Sequence, residues 1–153
     1  MNEVLNNIYK RRSVRKYKNE DIPDEKILEI LKAGHMAPSA SNSQPWKFIV
    51  IKKDDVKQKI QDEVSKKLDE LDSRINSSKA KKTLAGYRKY MEFLTKVPVL
   101  ICVVSLPYKS IFTSLVEKYR KEDAEEGIHV STGGIQSVAA AVQNILLSAF
   151  SMG

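Results

Sequence analysis

A single cysteine in 153 residues closes off several chemistries at once. Cys102 has no thiol to pair with, so there is no internal disulfide and no cysteine cluster for zinc. Its place in the apolar run 99–104 suits a small buried hydrophobe better than a reactive thiol. The two histidines, His35 and His129, sit in no arrangement that marks a general base, and no side chain reads as an activated nucleophile or a metal ligand. Residues 1–10 lack the apolar core of a secretory signal, and the apolar runs look too short to span a bilayer, so the cytoplasm is the expected compartment. No repeat or low-complexity tract is present.

What remains is ordinary globular material with a basic bias. At 42% hydrophobic and 29% charged residues, the chain can bury a core of its own, and residues 1–153 read as one domain. A formal charge of +7 favours anionic partners, among them nucleotides, nucleic acid and acidic membranes, and does not choose between them.

Periodicity supplies the elements. Val4, Leu5, Ile8 and Tyr9 recur at helical spacing behind Asn2, which predicts a short amphipathic helix over 3–11. Pro23 and Asp24 start a second helix, with Ile27, Leu28, Ile30 and Leu31 as its apolar stripe and an end near Gly34. A strand is expected over 47–51. A long helix then follows, capped by Asp54 or Asp55, whose stripe runs Val56, Ile60, Val64, Leu68, Leu71, Ile75 and whose charges solvate the other faces. Another helix carries Leu84, Tyr87, Tyr90, Met91 and Leu94 and must end before Pro98. The β-branched run 99–105 reads as a central strand covered on both sides, and 107–128 as an exposed, mobile excursion. Residues 131–150 form an almost wholly apolar helix, expected to be buried all round.

Two stretches resist explanation as scaffold. Ala37-Pro38-Ser39-Ala40-Ser41-Asn42-Ser43-Gln44-Pro45-Trp46 sets hydroxyls and amides between two prolines, a stiff loop with little bulk to keep a planar ligand away. The residues before those prolines, Ala37 and Gln44, are expected to be extended. Trp46 suits either a shield for such a site or a core tryptophan. Upstream, Arg11, Arg12 and Ser13 offer guanidinium forks and a hydroxyl suited to phosphate, although cations after a helix also simply suit its dipole.

Taken together, Arg-Arg-Ser-x-Arg-x-Tyr over 11–17 and Ala-x-x-Ala-Pro-Ser-x-x-Asn-x-Gln-Pro-Trp ending at Trp46 closely resemble the nitroreductase family of FMN-dependent oxidoreductases. The resemblance runs over about 8–51 and resumes over about 134–153. It implies an α+β fold, with a small central antiparallel or mixed sheet flanked by helices, in an intertwined homodimer. It also implies that Arg11, Arg12 and Ser13 hold the FMN phosphate and ribityl chain. Arg15 would reach the pyrimidine edge, where a fixed cation raises the cofactor's potential. Pro38, Ser39, Ser41, Asn42 and Gln44 would approach the cofactor of the other subunit. The implied activity is hydride transfer from NAD(P)H through FMN to a nitroaromatic, quinone or similar small acceptor. Deiodinases and ring-fragmenting flavin enzymes share the fold. Two rivals are a flavin-binding protein without efficient turnover and a basic nucleic-acid-binding domain. The family pattern continues past Gly153 with a strand and a loop that meets flavin N5, so a site incomplete at that end is expected.

Overall fold

A computed structural model describes residues 2–119 and 132–153. Among them the chain forms six α-helices and two strands in the order α1 (Glu3–Lys10), α2 (Asp24–His35), β1 (Trp46–Ile51), α3 (Asp54–Arg74), α4 (Ser78–Met91), β2 (Leu100–Ser105), α5 (Ile111–Tyr119) and α6 (Gly133–Ser151). One 3₁₀ turn, Ala40–Asn42, precedes β1 and another, Glu92–Thr95, precedes β2. The strands pair in a two-stranded antiparallel sheet, with the Leu106 N–H donating to Pro45 O at 2.9 Å. Among the described residues no third strand flanks β2, so it is not a central strand there, and it is only half-buried over Leu100, Ile101, Cys102 and Val103.

Two compact units are assembled from interleaved segments. The first comprises Met1–Arg12, Pro23–Ile49 and Val103–Gly153. Its core is built where α2 packs on α6. Gly34 lets the helices approach closely, since a Cβ there would lie 2.9 Å from Ile145 Cγ1 and 3.1 Å from Phe48 Cζ. Ala37, Trp46 and Ala141 are buried together, with Phe48, Val103, Val138 and Ala140 packed against them. Trp46 is thus a core residue. Its Nε1–H donates to His35 Nδ1 at 3.2 Å, which satisfies the one polar group on the buried ring. A further tie joins the helices, as the Asn144 amide donates to Ala33 O at 3.0 Å.

The last helix departs from expectation. By length and hydropathy α6 alone among the described helices is apolar enough to cross a membrane, contrary to the reading of the sequence. It is not buried all round. Gly134, Ser137, Ala141 and Ile145 form its buried stripe, whereas Ile135, Leu146 and Phe150 on another face are exposed. Composition fixes how much apolar surface a helix has, and only the neighbours fix how much of it is covered. α1 is similar in kind: none of its residues is buried, and Val4, Leu5, Ile8 and Tyr9 all face solvent.

The second unit comprises Ser13–Ile22 and Val50–Cys102. Here α3 packs against α4 and the Glu92–Thr95 turn, with Leu68, Leu84, Leu94 and Val97 buried. α4 is capped by Ser77, whose hydroxyl accepts from Ala80 N–H at 3.4 Å. The N-cap of α3 is Lys53, not Asp54 or Asp55, which lie one and two residues inside the helix, in its first turn. Lys57 likewise is not a solvating charge. Its side chain is 3% exposed, and its Nζ donates to Val97 O at 2.7 Å and pairs with Asp54 at 2.7 Å. Of the excursion expected over 107–128, the described part holds α5, whose Ile111, Leu115 and Tyr119 are exposed; residues 120–128 and His129 lie outside the described residues.

Candidate functional site

In the first unit, α1 ends at the basic cluster. Arg11 is its C-cap, with its N–H donating to Asn7 O at 2.9 Å, and its guanidinium makes no hydrogen bond or ion pair with any described residue. Arg12 is differently employed. Its Nη1 donates to Tyr9 O at 2.6 Å and to Arg11 O at 2.9 Å, so it caps carbonyls that the helix end leaves open. The chain thus puts one of the two adjacent cations to structural use and leaves the other available to an anion.

The loop between α2 and β1 lies in the same unit and is bent more sharply than its prolines alone require. Ser41, Asn42 and Gln44 have φ of 53°, 50° and 45°. The left-handed region costs a residue with a side chain roughly 1–2 kcal/mol, least for asparagine, so three such residues in four positions mark a conformation that its surroundings impose. Gln44 is accordingly not extended, although it precedes proline. The Ser39 hydroxyl accepts from its N–H at 3.0 Å, and its carbonyl accepts from Trp46 N–H at 2.8 Å, so bonds on both sides override the local preference.

Two contacts fix the loop from outside. The buried Ser137 hydroxyl of α6 accepts from Ala40 N–H at 3.1 Å, and Ser41 Oγ lies 3.5 Å from Tyr108 Oη. Gly134 makes room for the Tyr108 side chain, whose Cβ would be 2.9 Å from a Cβ at that position. The result is a surface of exposed Pro38, Ser41, Asn42 and Gln44, with Ser39 half-buried beneath it. No hydrogen bond joins this loop to Arg11 or Arg12 among the described residues.

In the second unit, Ser13 is exposed and its carbonyl accepts from Arg15 Nη1 at 3.5 Å. The Arg15 guanidinium lies over the Tyr90 ring, 5.4 Å from its centroid, in cation–π geometry. Arg15, Tyr17, Lys89, Tyr90, Glu92, Phe93 and Lys96 line a cleft of about 210 Å³. Its aromatic wall is continuous, Tyr17 to Phe93 at 6.1 Å and Tyr90 to Phe93 at 5.7 Å. Glu92 is engaged by Lys96 at 3.2 Å, which leaves Arg15 without an acidic partner among the described residues. Nothing in the sequence marked Tyr90 and Lys89 as lining a cleft with Arg15, because on a helical stripe they read as core and solvated face, or Ser137 as a contact of the loop, because one hydroxyl in an apolar run carries little signal.

Each unit by itself carries groups suited in kind to part of FMN. In the first unit the Arg11 guanidinium, unpaired among the described residues, matches a phosphate, and the exposed hydroxyls and amides of the loop match a polyol and a heteroaromatic edge; in the second, Arg15 lies in a cleft walled by mutually tilted aromatic rings.

The nitroreductase family model matches residues 8–153, and the chain belongs to that family. A crystal structure of a BluB-like flavoprotein from Clostridium difficile 630 superposes with a TM-score of 0.81 at 33% identity, over 100% of this chain and 72% of that one. Iodotyrosine deiodinase 1 of Rattus norvegicus is 33% identical over 143 residues, 88% of this chain and 46% of the rat protein. A protein of Archaeoglobus fulgidus named for NADH dehydrogenase/NAD(P)H nitroreductase activity is 56% identical over 52 residues, 34% of this chain and 30% of that one. The chain spans less than half the length of each of these two curated relatives. The nitroreductase-like α+β fold is thereby established, and the nucleic-acid-binding alternative has no support among these relatives.

Proposed function

We propose that this chain, paired with a second copy, is an FMN-dependent oxidoreductase that accepts hydride from NAD(P)H and passes it to a small electrophilic acceptor such as a nitroaromatic or a quinone. The observation that carries the reading is Arg15. The residue that the family pattern sends to the pyrimidine edge is the one that lines an aromatic-walled cleft, with no carboxylate among the described residues claiming it. Bound FMN would supply the hydride chemistry, and the side chains would bind, orient and exclude water. In this reading Arg11 and Ser13 hold the phosphate, with Arg12 contributing if it gives up its helix carbonyls. Arg15 and Lys89 place positive charge beside the pyrimidine edge. Pro38, Ser39, Ser41, Asn42 and Gln44 present donors to the cofactor of the partner.

A second reading, reductive dehalogenation of a halogenated phenol, is favoured by the length of the match to the rat deiodinase. The two share every residue role above and differ in the acceptor.

Titration of the apo-protein with FMN and FAD tests the reading. FMN should bind more tightly, because an adenylate would displace the terminal phosphate from Arg11 and Ser13, and Arg11→Ala should cost about 1.5–3 kcal/mol of FMN affinity. Equal affinity for the two flavins would sink the phosphate assignment. NADPH oxidation driven by a nitroaromatic supports the first acceptor class, and iodide release from 3-iodotyrosine supports the second. A yellow protein that oxidises no NADPH is a binding protein instead.

A further inference from the structure

We propose that Ser137 of α6 is a positioning residue: its hydroxyl locks the 38–44 loop into the left-handed conformation that presents Ser41, Asn42 and Gln44. This rests on the cofactor reading above but concerns a residue that does not itself face the ligand.

The stripe Gly134, Ser137, Ala141, Ile145 is the buried face of α6, and three of its four members are apolar or small. A hydroxyl in such a place is unfavourable unless both of its hydrogen-bonding capacities are used. Here they are. The O–H donates to Gly133 O at 2.6 Å, which commits its one proton, so a lone pair is what remains for the Ala40 N–H at 3.1 Å. Ala40 opens the 3₁₀ turn, where the first N–H groups have no partner within the turn, and the N-cap, Ser39, makes no side-chain bond to it. Ser137 therefore caps this turn from a helix 97 positions away. The Ser39 hydroxyl, released from capping, is free to accept from Gln44 N–H at 3.0 Å. The two serines divide the loop's open N–H groups between them, one at its start and one at its end. Remove Ser137 and Ala40 N–H loses its acceptor; Ser39, the adjacent N-cap, cannot take its place, because an N-cap hydroxyl reaches the second or third N–H of the turn, and steadying the turn in that way would draw it off Gln44. That would free Gln44 to relax toward the extended conformation its proline prefers.

The test compares Ser137→Ala with Ser137→Thr in the full chain, read by FMN titration, by hydrogen exchange over residues 38–46 and by thermal unfolding. Alanine should speed amide exchange at Ala40 and Gln44, and raise the FMN Kd about tenfold, the worth of one neutral hydrogen bond at the upper end of its range. Threonine, which restores the hydroxyl, should return both to within about threefold of wild type. If alanine lowers the unfolding temperature but leaves exchange in the loop and FMN Kd unchanged, Ser137 is merely structural and the proposal is overturned. Should the alanine protein fail to fold, Ser137→Cys, a volume match with a weak acceptor, decides on the same two readouts. The cofactor reading fails separately, when wild-type protein binds no flavin; exchange at Ala40 then still reports on the lock itself.

Discussion

Adjacent arginines make the sharpest test at the level of single residues. Arg11 and Arg12 look equivalent in sequence, yet one guanidinium has no partner among the described residues and the other holds Tyr9 O and Arg11 O. Arg12→Ala should therefore loosen the end of α1 and lower stability by about 0.5–1.5 kcal/mol in urea unfolding, with a smaller loss of FMN affinity than Arg11→Ala. The reverse order would mean that Arg12 swings off the helix to serve the phosphate. Arg15 differs from both. Arg15→Ala should leave most of the binding intact and lower the flavin midpoint potential, because it removes a positive charge from beside the pyrimidine edge. A redox titration without a shift would return Arg15 to the class of surface cations that rest on aromatic rings. The family was legible because the spacing of the motif residues carries chemistry even without a fold. Lys57 was not: among so many lysines on α3, nothing in sequence separates the one whose ammonium turns inward to Val97 O from those that solvate the helix. Lys57→Ala should accordingly cost about 1–3 kcal/mol by leaving Val97 O unpaired, whereas its neighbour Lys59 should tolerate alanine with little effect.

Among the elements, a helix was read to within a residue or two where apolar periodicity and start and stop signals agreed, as for α2. Failures came where a neighbour decides the outcome. Gln44 obeys two hydrogen bonds and not its proline, and α6 buries one face because α2 supplies a surface for one face only. The α2–α6 contact is itself testable through Gly34. A methyl there must displace Ile145 Cγ1 from 2.9 Å and Phe48 Cζ from 3.1 Å, in the same packed core that holds Trp46. Gly34→Ala should lose about 1–3 kcal/mol to overpacking, despite alanine's better helix propensity. A stabilised variant would show that propensity wins and that the core yields by a few tenths of an ångström. Because Asn144 ties the same two helices through Ala33 O, Asn144→Ala combined with Gly34→Ala should be non-additive.

For the whole molecule the decisive quantity is the apolar surface the first unit leaves exposed. Val4, Leu5, Ile8 and Tyr9 on α1, and Ile135, Leu146 and Phe150 on α6, belong to one unit, and α1 and α6 are in contact. Both helices thus carry large apolar side chains in solvent, and where such side chains form one contiguous patch they mark an interaction surface. A second copy is the occupant that the family pattern supplies, and an isologous pairing would cover both faces with like surface. If the 38–44 loop serves the partner's cofactor, as proposed above, the dimer would be needed for function. Ile135→Lys with Leu146→Lys places two cations on the exposed face of α6 and leaves its buried stripe, Gly134, Ser137, Ala141 and Ile145, untouched. Sedimentation velocity should find wild type at twice the monomer mass and the double variant at the monomer mass. FMN affinity should fall by at least about tenfold in the variant, while each chain keeps its helical circular dichroism. A variant that stays dimeric would move the interface elsewhere. A monomer that binds FMN as tightly as wild type would place the whole cofactor within one chain and assign the loop's strained geometry to its own subunit.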